Sequence, residues 1–549
     1  MIKECYSKTH KAPFFLNTET NKSYWSLSEL MADKSRQDNP VTEKPISAQL
    51  SSAPAIPDVQ RFDDILRTLK AAGVTPRPHQ HDGIKWMCQQ EAAGQGGLLA
   101  DDPGLGKTYQ ALSLICGNTT DKTIIIVPTS ILGQWEEAAV KLFGKRSVCV
   151  HHGVRSRTLQ NAPRITISTY GLLRKDKAIS DVVWDRIILD EIHAIKTRSS
   201  KTSKAAMELR GRFRWGLSGT PVQNKLDETA NLFRFILGLP VKTRDRLDVP
   251  ALISSHMLRR QKEIVLRDEL PDLHIRTQPV TFVSDHESQF YHRVMNNVAK
   301  EYAKVLGSEA KVENMVMFEL LLRMRQASQH PQLVLNGFRR KYKKNFGKWT
   351  ERSSKHVALL DLLKTHPDQD SLIFCQFTEE IKILQPLLRE EGYDVLRLDG
   401  SMGAMDRSIH LEAGQTLRDP SDTSQKPRVF LIQIVAGGVG LNLQAFSQVY
   451  LMSPDWNPCN EIQAIARAHR MGQLKDVNVT RLVLESEEEG AVGLIDARIL
   501  DIQAKKRNLM ATLLSEERLR NNGKVRARLR LSARDFKKLL GGSSKTAST

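Results

Sequence analysis

Short apolar runs alternate with amphipathic stretches along most of this chain, and they fall into two sets. From Arg61 to about Leu237 the runs are Gly97–Ala100, Thr123–Val127, Ile165–Ser168, Arg186–Leu189 and Trp215–Leu217. From about Ser353 they are Leu372–Cys375, Val395–Leu398, Val429–Val435, Val449–Met452 and Val479–Leu484. Continuous apolar runs of this kind are strands buried on both faces, and helix-length intervals between them predict βαβ units and parallel sheets. Two sets predict two α/β lobes of similar size. Between them, Ser284 to Val334 has a helical pattern rich in Lys and Arg. Residues 1–60 are polar. Within them Pro13 to Trp25 alternates like a hairpin with a turn at Asn21-Lys22, and Gln49 to Pro57 reads as a linker.

Composition adds a partner class. With 549 residues, 40% of them hydrophobic, the chain can build two large domains and attachments. Lys plus Arg number 81 against 62 for Asp plus Glu, a net charge of +19. Such a surplus favours a polyanion, nucleic acid by default. The densest positive run, Arg339 to Lys348, has three readings: a nuclear signal, a DNA contact or a solvated loop. The cysteines (5, 88, 116, 149, 375 and 459) form no CxxC pair. That spacing excludes a zinc ribbon or RING and predicts reduced thiols in an intracellular protein with no structural zinc. No apolar run reaches membrane-spanning length, so no membrane partner is expected.

The chemistry starts after the first run. Asp101-Asp-Pro-Gly-Leu-Gly-Lys-Thr108 links a strand to a helix-prone stretch. Gly104 and Gly106 allow main-chain N–H groups to curl around an anion, with Lys107 for the β- and γ-phosphates and Thr108 for Mg²⁺. The strict phosphate-loop pattern has Gly where this chain has Asp101. A second strand ends in Asp190-Glu191, one carboxylate for the metal and one for the attacking water. Leu217-Ser-Gly-Thr-Pro-Val-Gln-Asn224 follows a third strand. Far downstream, Gln463, Arg467 and Arg470 fall at i, i+4 and i+7, one face of a predicted helix. The two arginines are then candidates to neutralise charge on a transferring phosphoryl group, with lobe closure required.

These motifs, with Val435 to Asn442 and Gln463 to Gln473, occur in the order of superfamily 2 helicases, and their wording resembles the Swi/Snf-type DNA-translocating ATPases. Arg77 to Gln80, Ile125 to Pro128 with Gln134-Trp135, Met257 to Arg260 and Ser453 to Pro458 match too. Leu322 to Pro331 and Leu529 to Gly541 are most similar to the post-replication-repair, helicase-like transcription factor branch. The resemblance implies two RecA-like parallel-sheet lobes with helical protrusions and a C-terminal helical brace. It implies ATP and Mg²⁺, with Gln80 at the adenine, Gly104, Gly106, Lys107 and Thr108 at the phosphates, and Asp190 and Glu191 in hydrolysis. It puts Gly440, Gln463, Arg467 and Arg470 on the second-lobe side of the nucleotide. Pro128, Thr169, Tyr170 and Trp456 would lie along the DNA. Pro103 and Ile192 depart from the family's usual residues, and the RING carried by many members of that branch is excluded by the cysteines.

The expected layout is an N-terminal segment with a degenerate WW-like hairpin (1–60), a nucleotide-binding lobe (61–240), helical protrusions and linker (241–350), a second lobe (351–500) and a brace and tail (501–549). The expected activity is ATP-driven movement along double-stranded DNA, remodelling nucleosomes or other DNA-bound proteins in a nucleus or a viral replication compartment. Strand separation on DNA or RNA is the first rival, and an inactive ATP-binding scaffold the second. The intact Lys107, Asp190, Glu191, Arg467 and Arg470 argue against the scaffold.

Overall fold

The computed structural model describes residues 2–7, 12–17 and 22–24, and then 58–514 with short gaps at 118–121, 154–158, 160–161, 222–225, 241–246, 308–313, 419–425, 438–440 and 487–493. The N-terminal unit contains strands β1 (Ile2–Ser7), β2 (Ala12–Asn17) and β3 (Lys22–Tyr24) in one antiparallel sheet. The hairpin partner strands β2 and β3 pair from Phe15↔Tyr24 to Asn17↔Lys22. Lys22 is therefore already in a strand, and β1 adds a third strand that the alternation did not indicate.

The first large sheet contains β4 (Gly97–Leu99), β5 (Thr123–Val127), β6 (Val148–His151), β7 (Ile165–Thr169), β8 (Val183–Asp190), β9 (Arg210–Leu217) and β10 (Met257–Leu258). Its order is β10-β4-β9-β8-β5-β7-β6, all parallel. Side chains alternate between its faces. Ile125 and Val127 join one core with Ala111, Leu114 and Trp135, while Ile124 and Ile126 join another with Ile187, Ile192 and Phe233. The period-2 pleat thus turns each apolar run into two half-cores.

The second sheet contains β11 (Leu273–Val280), β12 (Ser371–Cys375), β13 (Asp394–Leu398), β14 (Arg428–Gln433), β15 (Gln448–Leu451) and β16 (Val477–Leu484), ordered β11-β16-β15-β12-β14-β13 and again parallel. The same alternation holds: Val429 and Leu431 face one core, Phe430 and Ile432 the other.

Three differences from the sequence expectation have physical causes. β14 stops at Gln433, and Ile434–Gly437 is a short helix, because apolar runs do not distinguish strand from buried helix. β10 and β11 lie in the stretch assigned to protrusions, yet each extends a lobe's sheet at its edge. β11 is mostly exposed, so it lacks an apolar signature. The helices Asp285–Gly307, Asn314–Gln329 and Pro331–Tyr342 bury Val294, Val298, Leu321 and Met324 in one core with Leu359, Ile381, Ile495 and Ile499. They are part of the second lobe's packing. The C-terminal helix Ile495–Leu514 joins the same core and is tied down by polar contacts. Asp496 Oδ2 accepts from Lys355 Nζ at 2.5 Å and from Leu484 N at 3.1 Å, and Gln503 Nε2 donates to Asp455 O at 2.6 Å. Residues 515–549, including the Leu529 to Gly541 motif, lie outside the described residues. No helix among the described residues is long and apolar enough to cross a membrane.

Candidate active site

β4, β9 and β8 are neighbours in the first sheet, so the segments leaving their C-terminal ends converge. These are the phosphate loop, Ser218 to Thr220, and the Asp190-Glu191 pair. Ligand crevices of open parallel sheets form at this edge. Gly104 and Gly106 have φ of +100° and +79°, left-handed values that a side chain would strain. At Gly106 a Cβ would also stand 2.3 Å from Gln80 Nε2. The helix Lys107–Cys116 begins directly after Gly106, and its unpaired first-turn N–H groups favour an anion. Lys107 Nζ donates to the main-chain carbonyls of Asp101 (2.6 Å) and Asp102 (3.3 Å). Burial lowers its pKa, against the pull of Glu191, Asp101 and Asp190. Thr108 follows it, half-buried. Gln80 and His79, on the helix Pro78–Ala92, hold the crest of the loop by meeting Leu105 O at 3.3 and 3.1 Å.

The acid pair ends β8. Asp190 Oδ1 accepts from Glu191 N at 2.9 Å, and Oδ2 from Trp135 Nε1 at 2.7 Å. Burial and then the neighbouring Glu191 charge raise Asp190 to about 6. Glu191 is one of two non-glycine residues with positive φ (49°) among the described residues. Such strain costs about 1–3 kcal/mol and aims a side chain the regular strand could not aim. Burial pushes the Glu191 pKa up, yet it lies below its ordinary value, because His193, Lys107 and Arg467 together outweigh burial. His193 Nδ1 is 3.1 Å from Glu191 Oε2. Two carboxylates this close, one holding its proton too tightly, suit a divalent cation, so the residues fit Mg²⁺.

The second lobe faces this edge. The helix Pro458–Ile465 carries the buried Gln463 and ends there, with tight turns from Ala466 onward. Arg467 and Arg470 stand on those turns, which corrects the expected single helical face. Arg467 N bonds back only to Ala464 O, three residues earlier, so the helical ladder has already tightened. Arg467 is nonetheless buried, lowered to about 10 by that burial, and feels the charges of Glu191 and Asp190. Arg470 packs with its Cβ 3.6 Å from where a Gly104 Cβ would be. Its Nη1 donates to Leu441 O at 3.0 Å. Between them, His469 Nδ1 meets Lys262 Nζ at 2.9 Å, while its Nε2 meets Pro271 O at 2.9 Å. Lys262 N in turn donates to Asp102 Oδ2 in the phosphate loop at 3.2 Å. An anion loop, a carboxylate pair and two opposing arginines make the parts of a phosphoryl-transfer site, divided between lobes.

Residues 79–333 match the SNF2-related domain, and residues 354–472 match the helicase conserved C-terminal domain. The two matches in tandem cover more than half of the sequence. The chain belongs to the SNF2-related ATPases. It is similar to the "Probable global transactivator" of Orgyia pseudotsugata multicapsid polyhedrosis virus, 28% identical over 443 residues, covering 74% of this chain and 86% of that protein. It is also similar to SWI/SNF-related matrix-associated actin-dependent regulator of chromatin subfamily A member 1 of Homo sapiens, at 27% over 476 residues, 81% of this chain and 44% of that one. Among solved structures, a Sulfolobus solfataricus SWI2/SNF2 ATPase core in complex with dsDNA is 26% identical over 86% of this chain and 98% of that one, with a TM-score of 0.36. The chain spans less than half the length of the human relative. The relatives do not single out the post-replication-repair branch.

As an SNF2-related ATPase the chain hydrolyses ATP, and its departures, Asp101 from the strict phosphate-loop pattern and Pro103 and Ile192 from the family wording, have structural partners. Asp101 is fully buried and accepts from Arg260 Nε (2.9 Å) and Nη2 (2.5 Å), with Gln110 Nε2 at 3.1 Å. It fastens the loop to the edge strand β10. Pro103 packs on Gly219, where a Cβ would come within 2.7 Å of its Cγ. Ile192 is fully buried over Gly216 of β9, where a Cβ would lie 2.4 Å from its Cδ1. From sequence alone, Trp135, His193 and Arg260 stand out only as letters of motifs matching the family, and Lys262 does not stand out at all. A buried indole needing an acceptor is the available signal for Trp135.

The residues expected along DNA fare differently. Pro128 is half-buried and leads into exposed Thr129 and Ser130. Trp456 is half-buried against the second lobe's core, with the Arg325 guanidinium 5.6 Å from its ring. Thr169 is buried, and its Oγ1 caps Leu172 N at 3.4 Å. Tyr170 donates its hydroxyl to Asp190 O at 2.7 Å, beneath the acid pair. Thr169 thus caps the short helix Tyr170–Leu173, and Tyr170 braces the strand end that carries the acid pair. Gly440 and residues 222–225 lie outside the described residues.

Proposed function

We propose that this SNF2-related ATPase is a translocase on double-stranded DNA that uses ATP to remodel DNA-bound protein complexes or DNA structures. The observation that carries the reading is that Arg467, from the second lobe, is buried facing Asp190 and Glu191 of the first. In this reading Lys107 and the loop N–H groups bind the β- and γ-phosphates, and Gln80, near the loop's rim, contacts the adenine. Thr108 and Asp190 hold Mg²⁺, which when bound supplies charge neutralisation at the phosphates. Glu191 orients the attacking water, its proton affinity kept low by His193 and Lys107. Arg467 and Arg470 meet charge that develops on the departing phosphoryl group, so the step goes fast only while the lobes are docked. Hydrolysis and release then let the lobes part, and alternating grip on backbone phosphates becomes movement.

The surplus of +19 supports a phosphate-backbone track, and the names of the relatives support chromatin or viral DNA as its setting, in a nucleus or a viral replication compartment. The deciding experiment measures ATPase rate without polymer and with duplex DNA, single-stranded DNA, RNA and nucleosomes. Stimulation by duplex DNA is expected. Stimulation by single strands or RNA alone would replace this reading with a strand-separating helicase.

A further inference from the structure

The densest positive run in the sequence folds into a concave site that the ATPase chemistry does not use. The helix Pro331–Tyr342 ends with Arg339, Arg340 and Lys341 in its last turn. It is closed by Lys343 in the left-handed region, φ 52°. The chain then turns through Gly347 (φ 78°) and is pinned against the helix. Arg339 donates to Asn345 Oδ1 at 3.1 Å and to Gly347 O at 2.9 Å, and Asn345 Oδ1 also accepts from Gly347 N at 3.1 Å. The result is a concavity of about 710 Å³ lined by Arg339, Arg340, Lys343, Lys344 and Asn345. Its wall has four cations and no carboxylate.

A helix C-terminus is stabilised by one or two nearby cations, and Lys341, paired with both Glu319 oxygens at 2.9 and 3.0 Å, is one of them. The rest exceed that need. Arg340 is largely exposed, with Glu379 at 3.9 Å. Among the described residues, no carboxylate pairs with Lys343, Lys344 or Lys348. Like charges held on one pinned turn repel, and a polyanion relieves them. The location favours a track over a free anion. Glu379, which also accepts from Asn336, opens the helix that leaves β12, so the concavity borders the C-terminal edge of the second sheet. The neighbouring rings of Tyr342, Phe346 and Phe338 pack on one another at 5.7–6.1 Å. They brace the turn, with Tyr342 and Phe346 left partly exposed beside the cations. The cations of the wall suit backbone phosphates, and duplex DNA is the polyanion the translocase reading supplies.

We propose that the concavity at Arg339–Asn345 grips backbone phosphates of duplex DNA, as an anchoring site on the second lobe separate from the ATP site. This rests on the translocase reading above. The test is a triple variant, R340Q/K343Q/K344Q, that leaves Arg339 to hold the turn. Fluorescence anisotropy with a duplex gives Kd across a salt series. Each phosphate that a side chain no longer neutralises lowers the slope of log K against log salt by about 0.9. The slope of the variant should therefore be shallower by about 2–3, and its binding at least about tenfold weaker at low salt. ATP affinity and DNA-independent ATPase should match the unmodified protein, which certifies the fold. R340K/K343R/K344R should keep the slope. A triple variant with unchanged slope overturns the anchoring site alone, as does weaker binding to single-stranded DNA or RNA with duplex binding intact. Failure of the unmodified protein to bind duplex DNA overturns the translocase reading together with it.

Discussion

In the first lobe, the carboxylates of the site have their partners before any ligand arrives. Asp101 accepts from Arg260 and Gln110, and Asp190 from Trp135 and the Glu191 amide. In the second lobe, Arg467 and Arg470 stand on turns beyond the end of a helix, held within the lobe by Leu443 N on Arg467 O and Arg470 Nη1 on Leu441 O, and joined across to the first lobe's edge by Lys262 on His469. The loop and the acid pair are complete within one lobe; the arginines meet them only across the joint between lobes. The difference separates binding from chemistry. A nucleotide can be held by the first lobe alone, whereas interactions that matter in the transition state depend on closure.

The sharpest way to break this contrast is to compare Arg467→Ala with Lys107→Ala. The first should lower kcat with saturating ATP and duplex DNA by about 10³–10⁵, with ATP affinity near that of the parent. Lys107→Ala should lose affinity as well as rate. Equal damage to nucleotide binding by both would mean that the arginine belongs to the ground-state site.

A stability measurement probes the rigid half. Asp101→Ala leaves Arg260 facing a vacated, buried position, and removing one member of such a pair costs about 3–5 kcal/mol. Denaturant unfolding would read this directly. A loss under about 1 kcal/mol would show that the loop needs no fastening to β10.

Smaller effects are expected at the joint. Lys262→Met removes the bond to His469, worth about 1.5–3 kcal/mol for a charged donor. If that order is used in the transition state, kcat falls by about ten- to a hundredfold with KM unchanged, and Lys262→Arg recovers much of it. A rise in KM with constant kcat would argue for a structural role only.

The smallest effect concerns the second lobe's interior. Burial holds the Glu380 carboxyl up at about 7, so the folded chain keeps a proton that the unfolded chain releases near 4.5. The stability this contributes is full below about pH 4.5 and is lost as pH rises to about 7. Glu380→Gln retains an acceptor for Gln376 N and Phe377 N. Thermal melts of this variant should show a shallower decline between pH 4.5 and 7 than the parent does. An identical slope would assign the decline to other groups.

How much of this was legible in the sequence depended on the kind of signal. Buried central strands such as Thr123–Val127 declared themselves, because apolar runs and parallel sheets go together. Edge strands did not: β10 has two residues, and β11 is largely exposed. Local motifs located Lys107, Asp190 and Glu191, since a loop and a strand end keep their spacing in the fold. The arginines were found by type but set on the wrong element, because the helix stops after Ile465 with no Gly or Pro at 466–471 to mark the end. The bond of Tyr170 to Asp190 was not legible either. Its partner is a main-chain carbonyl 20 residues away, and no spacing rule reports that.

The packing of Ile192 on Gly216 bears on how this sequence could have arisen. A Cβ at position 216 would lie 2.4 Å from the isoleucine. A larger residue at 216 would oblige the tip of Ile192 to swing aside, with Leu98 Cδ1 at 3.1 Å next in its way. The two positions are thus coupled one residue away from Glu191, and related chains should carry a branched side chain at 192 more often where 216 is glycine.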